Sequence, residues 1–176
     1  MPASFFLSQA LHLCIILMAM SISIYYEDCQ PGLSFDLGST VVEKQQVLRF
    51  AAAFDPQPFH LDEDAGKASI LGGLSASGWH TASMVMRLLV DHLLSRSSCQ
   101  GSPGVKSLRW LKPVFPGDTL HAKADVLEKR TLLTKPYLGI VTFELTATKS
   151  DGTQVMHQVI PILFAKRAAE EAQNVQ

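Results

Sequence analysis

Two side chains that move protons stand five positions apart, Asp55 and His60, in the stretch Phe54-Asp55-Pro56-Gln57-Pro58-Phe59-His60. Pro56 and Pro58 each lock their own φ and drive the preceding residue towards an extended backbone. The segment therefore reads as a stiff, bent loop, not a helix interior, and it can aim a carboxylate and an imidazole at one point. A glycine-rich turn follows, Gly72-Gly73-Leu74-Ser75-Ala76-Ser77-Gly78, and delivers the chain to a helix start, where N–H groups lack intrahelical acceptors. A pair that can activate water, next to donors that can hold a developing oxyanion, is suited to chemistry on a carbonyl compound.

The residues around this pair are expected to shape the pocket: Gln57, Pro58, Phe59, Ser77, Trp79 and His80. Trp79 and His80 read as packing or pocket wall, not as proton carriers, because aromatic rings more often fill space. Ser75 and Ser77 are not a hydrolase nucleophile, since Gly73-Leu74-Ser75-Ala76-Ser77 lacks the closing glycine and the preceding strand of a nucleophile elbow. His12, His92, His121 and His157 are scattered singly, so no metal site is expected. No cofactor is expected either.

The bulk composition narrows the class. The 176 residues suffice for one domain with a sizeable core, and 47% are hydrophobic against 18% charged. Fifteen Lys+Arg against sixteen Asp+Glu leave no basic field to recommend nucleic acid. Lys106, Arg109 and Lys112 are the local candidates for a phosphate on a small molecule, although a solvated strand face explains them as well. Cys14, Cys29 and Cys99 are odd in number and lack metal-ligand spacing, which suits reduced thiols in a cytoplasmic protein.

Residues Phe5 to Ile24 form a mostly apolar run, broken by polar residues and without Lys or Arg before Lys44. A membrane span or signal usually carries basic flanks. The run is read as a dispensable extension, 1–24, with an added packing helix or a membrane attachment as the alternatives, ahead of a single domain over 25–167 and a tail over 168–176. Leu33, Phe35 and Leu37 alternate as in a half-buried strand. Thr40 and Glu43 have the spacing of a capping box, predicting a helix from about Val41 to Phe54 with Val47, Phe50, Ala51 and Phe54 turned inward. A short helical turn is expected over Asp62 to Ala68, then a long helix from Gly78 to Arg96 that is apolar on most sides. Strands follow over Thr119 to Glu128, around Val141 to Thr148, and from Gln154 to Ala165 after an Asp151-Gly152 turn. Helices first and antiparallel strands second make an α+β pattern, with four or five strands round one buried helix.

On these residues the chain resembles the MaoC-like dehydratases, the (R)-specific enoyl-CoA hydratases of the hot-dog fold. Asp55, Pro58, Phe59 and His60 match the family's central signature, and Gly78 matches the glycine opening the central helix. The corner Pro113-Val114-Phe115-Pro116-Gly117-Asp118 is a third marker, and the resemblance spans about Tyr25 to Arg167. It implies an antiparallel sheet around a long helix, a homodimer, and an acyl-CoA or carrier-protein thioester as substrate. It also implies that Asp55 and His60 hold the reacting water while the Gly78 N–H stabilises the thioester oxygen. Two positions depart from the family pattern: Gln57 stands where Asn is usual, and Ser77 where His is usual. A hot-dog thioesterase and a non-catalytic acyl-thioester binding protein are the alternative readings.

Overall fold

The structure, a computed structural model, describes residues 22–167. A short 3-10 turn (Tyr26–Asp28) leads into β1 (Ser34–Val41) and helix α1 (Lys44–Phe54), followed by α2 (Pro58–Leu61) and α3 (Glu63–Ala68). The long helix α4 (Gly78–His92) comes next, with a 3-10 turn at Leu94–Arg96, and then β2 (Ser107–Trp110), β3 (Thr119–Thr131), β4 (Leu138–Lys149) and β5 (Gln154–Ala165). The five strands form one antiparallel sheet in the order β1-β3-β4-β5-β2. The long helix packs on it in the α+β arrangement that the resemblance implies. The 1–24 extension lies outside the described residues except for Ile22 to Ile24, and so does the 168–176 tail. Among the described residues, no helix is long and apolar enough to cross a membrane.

The alternation read from β3, β4 and β5 builds the core. Ala122, Ala124, Phe143, Leu145, Met156 and Ile162 are buried on one sheet face, where Val85, Leu88 and Leu89 of α4 meet them. β5 has the predicted bounds, and β3 and β4 run longer than expected. The Asp151-Gly152 turn is as expected, with Gly152 at φ +85° and the Thr153 N–H donating to Asp151 Oδ1. The edge strand β2 carries no long alternating run and escapes a periodicity reading.

Three local expectations are corrected. Thr40 and Val41 belong to β1, paired with Leu120 and Thr119, and α1 begins at Lys44 with no side-chain cap on Glu43. Pairing continues past the strand end, where the Val42 N–H donates to Asp118 O and the Gly117 N–H to Val42 O. These backbone bonds outweigh the local cap that Thr40 and Glu43 would have supplied. Phe54 is 76% exposed instead of facing the core, and packs on Phe50 at 5.1 Å between ring centroids. α4 is apolar on most sides as expected, and it presents one exposed face that carries Trp79, Ser83, Arg87 and Val90. It ends four residues earlier than Arg96, however, the remainder tightening into the 3-10 turn.

α3 fixes the approach to the glycine-rich turn. Asp62 caps it, its Oδ1 accepting from the N–H groups of Asp64 and Ala65. Gly66 lies flush on the turn backbone, so that a Cβ there would stand 2.5 Å from Leu74 N and 2.6 Å from Gly73 O. Backbone cannot swing aside as a side-chain tip can. Gly66→Ala is predicted to destabilise the protein by about 1–3 kcal/mol, measured by chemical denaturation. An unchanged midpoint would contradict this packing.

Candidate active site

Asp55 ends α1, where its N–H still donates to Ala51 O. The stretch beyond it is not loop throughout, as the two prolines suggest, because Pro58 occupies the first turn of α2 and His60 lies within that helix. Proline is tolerated there since its missing N–H would have had no intrahelical partner. Three residues, Asp55 to Gln57, separate the two helices, Gln57 being the extended N-cap of α2, and the reversal turns Asp55 and His60 towards each other. His60 Nε2 stands 3.5 Å from Asp55 Oδ2, too long for a good direct hydrogen bond and short enough for one water to reach both.

The hydrogen-bond partners of the two side chains differ. His60 is buried, and its Nδ1 lies 2.8 Å from the Ser75 carbonyl oxygen and 3.3 Å from Ser75 Oγ. A carbonyl can only accept, so Nδ1 carries a proton, and in the neutral ring Nε2 is then the bare nitrogen that faces Asp55. Asp55 accepts from Ser77 Oγ at Oδ2 and from Gln57 Nε2 at Oδ1, each at 2.7 Å. The Ser77 and Gln57 hydrogen bonds, with a smaller contribution from His60, hold its carboxyl below the usual carboxylate range. A depressed carboxyl adds stability above its unfolded pKa, and that stability is lost as pH falls through the folded value.

A cavity of about 340 Å³ opens beside the pair, lined by His60, Phe59, Gly78, Thr81, Trp110 and Lys112 among others. Leu71, Val114 and Val155 make part of its wall apolar. Gly78 is the first residue of α4, where an N–H has no intrahelical acceptor. Ser77 caps the helix, its Oγ accepting from the Trp79 N–H at 3.2 Å.

The structure thus gathers Asp55, Gln57, Phe59, His60, Ser77 and Gly78 in one place. Pro58 is exposed and serves the turn. Trp79 is 60% exposed and meets Trp110 edge to face at 5.2 Å. His80 lies elsewhere: it stacks on Phe50 at 4.8 Å and borders a separate cavity with Gln46 and Arg87. Burial pushes its pKa down. The three basic candidates also separate, because Lys106 pairs with Glu128 and Arg109 stands opposite His157 on the far sheet face, while Lys112 alone of them borders the cavity. Among the described residues no cluster of His, Cys, Asp or Glu has metal-binding geometry.

Residue type and spacing do not mark Ser75 and Trp110 as partners of the site. Ser75 acts largely through a backbone carbonyl, which leaves no mark on residue type. Trp110 packs on the glycine that opens α4, so that a Cβ on Gly78 would lie 2.6 Å from its indole ring.

Comparison with known proteins bears on the family and the fold. A family model described as "MaoC like domain" matches residues 29–148. The chain is 29% identical to an (R)-specific enoyl-CoA hydratase of Rhodospirillum rubrum, over 70% of this chain and 81% of that protein. It is 27% identical to the uncharacterized protein YdeM of Bacillus subtilis, over 77% and 94% of the two chains. The crystal structure of a MaoC-like dehydratase from Rhodospirillum rubrum superposes with a TM-score of 0.77 at 38% identity, covering 82% of this chain and 99% of that one. The fold is the hot-dog fold, and its relatives include hydratases and dehydratases. The chain belongs to the MaoC-like dehydratase family.

Gly78→Ala is predicted to cost about 1–3 kcal/mol by forcing the indole off the helix start. In a Trp110→Ala background the same substitution should cost less, by about 1 kcal/mol or more. Equal costs in both backgrounds, read from denaturation midpoints, would contradict the contact.

Proposed function

We propose that the protein is an enoyl-thioester hydratase, or in reverse a 3-hydroxyacyl-thioester dehydratase, acting on an acyl-CoA or carrier-protein thioester. The observation that carries this reading is the 3.5 Å approach of His60 Nε2 to Asp55 Oδ2 beside a cavity that Gly78 borders. A water between the two side chains donates one hydrogen to each, which leaves a lone pair for the β-carbon of the enoyl group. The Gly78 N–H meets the thioester oxygen as negative charge builds there. Water and returning proton then occupy one side of the substrate, which makes the addition syn.

The hydratase named among the relatives supports the reaction class. The thioesterase alternative finds less support: Asp91, the carboxylate on α4, sits on its last turn and pairs with Arg87 at 2.6 Å, far from Gly78. Lys112, exposed beside the cavity, is suited to a phosphate of the pantetheine arm. We take the acting form to be a homodimer joined along sheet edges. β2 is an edge strand, and Trp110 and the adjoining Leu111 leave apolar surface exposed beside the cavity.

Loss of the conjugated enoyl-thioester absorbance, followed with crotonyl-CoA and longer trans-2-enoyl-CoAs, tests the function. Turnover is expected in the unmodified protein and a fall of at least about 100-fold in His60→Ala, with folding intact. No turnover at any chain length, or release of free thiol, would overturn the hydratase reading. Lys112→Ala is expected to raise KM for CoA substrates several-fold with kcat unchanged. An unaltered KM would remove Lys112 from the substrate site.

A further inference from the structure

The two positions that depart from the family pattern, Gln57 and Ser77, are the two residues that hydrogen-bond the Asp55 carboxylate, one at each oxygen. Gln57 reaches Asp55 from two residues along the turn, and Ser77 from the far end of the glycine-rich segment. Ser77 is itself buried and accepts from the Trp79 N–H. It therefore links the positive end of α4 to the carboxylate through one hydroxyl. His60 meets the same Oδ2 from the other side, with its Nδ1 proton committed to the Ser75 carbonyl.

We infer that Ser77 and Gln57 are positioning residues that clamp Asp55 as a fixed anion, leaving His60 Nε2 as the group that carries the proton. This rests on the hydratase reading and divides the labour within it. A carboxylate that already accepts two short hydrogen bonds is a poor proton acceptor, and the bare Nε2 beside it is a good one, since the anion stabilises the imidazolium. In the forward direction the water oxygen bonds to the β-carbon as its O–H bond breaks and the proton passes to Nε2. The π electrons move towards the α-carbon and the thioester oxygen. The Nε2–H bond then breaks, its proton bonds to the α-carbon, and the imidazole returns neutral. One water is added, and Asp55 ends as it began. His60 is the titratable group that faces Asp55, and its other two polar partners are neutral.

The test is the titration of the Asp55 carboxyl carbon and the His60 ring, followed by NMR in the full chain and in Ser77→Ala, Gln57→Leu and Ser77→Thr. The readout needs no turnover, so it stands apart from failure of the hydratase reading, which the absorbance assay detects. In Ser77→Ala and Gln57→Leu the Asp55 pKa should rise, because each loses a donor to the anion. Ser77→Thr, which keeps a hydroxyl, should restore it. If the protein is a hydratase, the acidic limb of kcat/KM stays with the His60 titration and Asp55→Asn keeps at least about 10-fold more activity than His60→Ala. An Asp55 titration unchanged by loss of either donor would overturn the clamp. A proton carried by Asp55, seen as Asp55→Asn falling to the level of His60→Ala, would overturn the division of labour.

Discussion

The hydrogen bond from Ser77 Oγ to Asp55 Oδ2 spans 22 residues and ties together the two parts on which the site depends. One part is the end of α1, which carries the carboxylate. The other is the start of α4, which carries the donor-rich helix terminus and is held against the sheet by Val85, Leu88 and Leu89. Burial of those residues supplies the stabilising energy, and the polar contacts decide where that energy places the chemistry. Were the bond absent, α1 and α4 would still be folded, but the carboxylate would lose its tie to α4 and keep only the local donor Gln57 of the pair that clamps it.

The segment between these parts is stiff for several reasons that act together. The two prolines restrict the turn, Asp62 caps α3, and Gly66 lets α3 lie against the Gly73–Leu74 backbone. The Ser75 N–H donates to Phe59 O, and the Ala76 N–H to Val114 O. The glycine-rich stretch is thus pinned on one side to the His60 helix and on the other to the corner before β3. Preorganisation of this kind keeps a bridging water from needing rearrangement as charge develops.

Much of this was legible in the residues. Asp55, His60 and Gly78 announced themselves by type, spacing and flanking prolines or glycines, and β5 could be bounded from alternation and the Asp151-Gly152 turn alone. Thr40 and Glu43 misled because a local cap competes with strand pairing, and the partner strand lies some eighty residues away in the chain. Phe54 misled because helical periodicity does not tell which apolar residue loses its neighbours at a helix end. His80 sits two residues into α4, where rotation about the helix axis turns it towards Phe50 and away from Gly78. Ser75 was invisible because its contribution is largely a carbonyl, and the role of Trp110 depends on a contact between distant segments.

Crotonyl-CoA hydration in D2O, with the product resolved by NMR and chiral analysis, tests the central claim most directly. The account predicts 3-hydroxybutyryl-CoA of a single configuration with one deuterium at the α-carbon, on the same face as the new hydroxyl, and at least about 100-fold less of this product from His60→Ala. Deuterium on the opposite face, or free CoA in place of the hydroxy product, would contradict a single water held between Asp55 and His60.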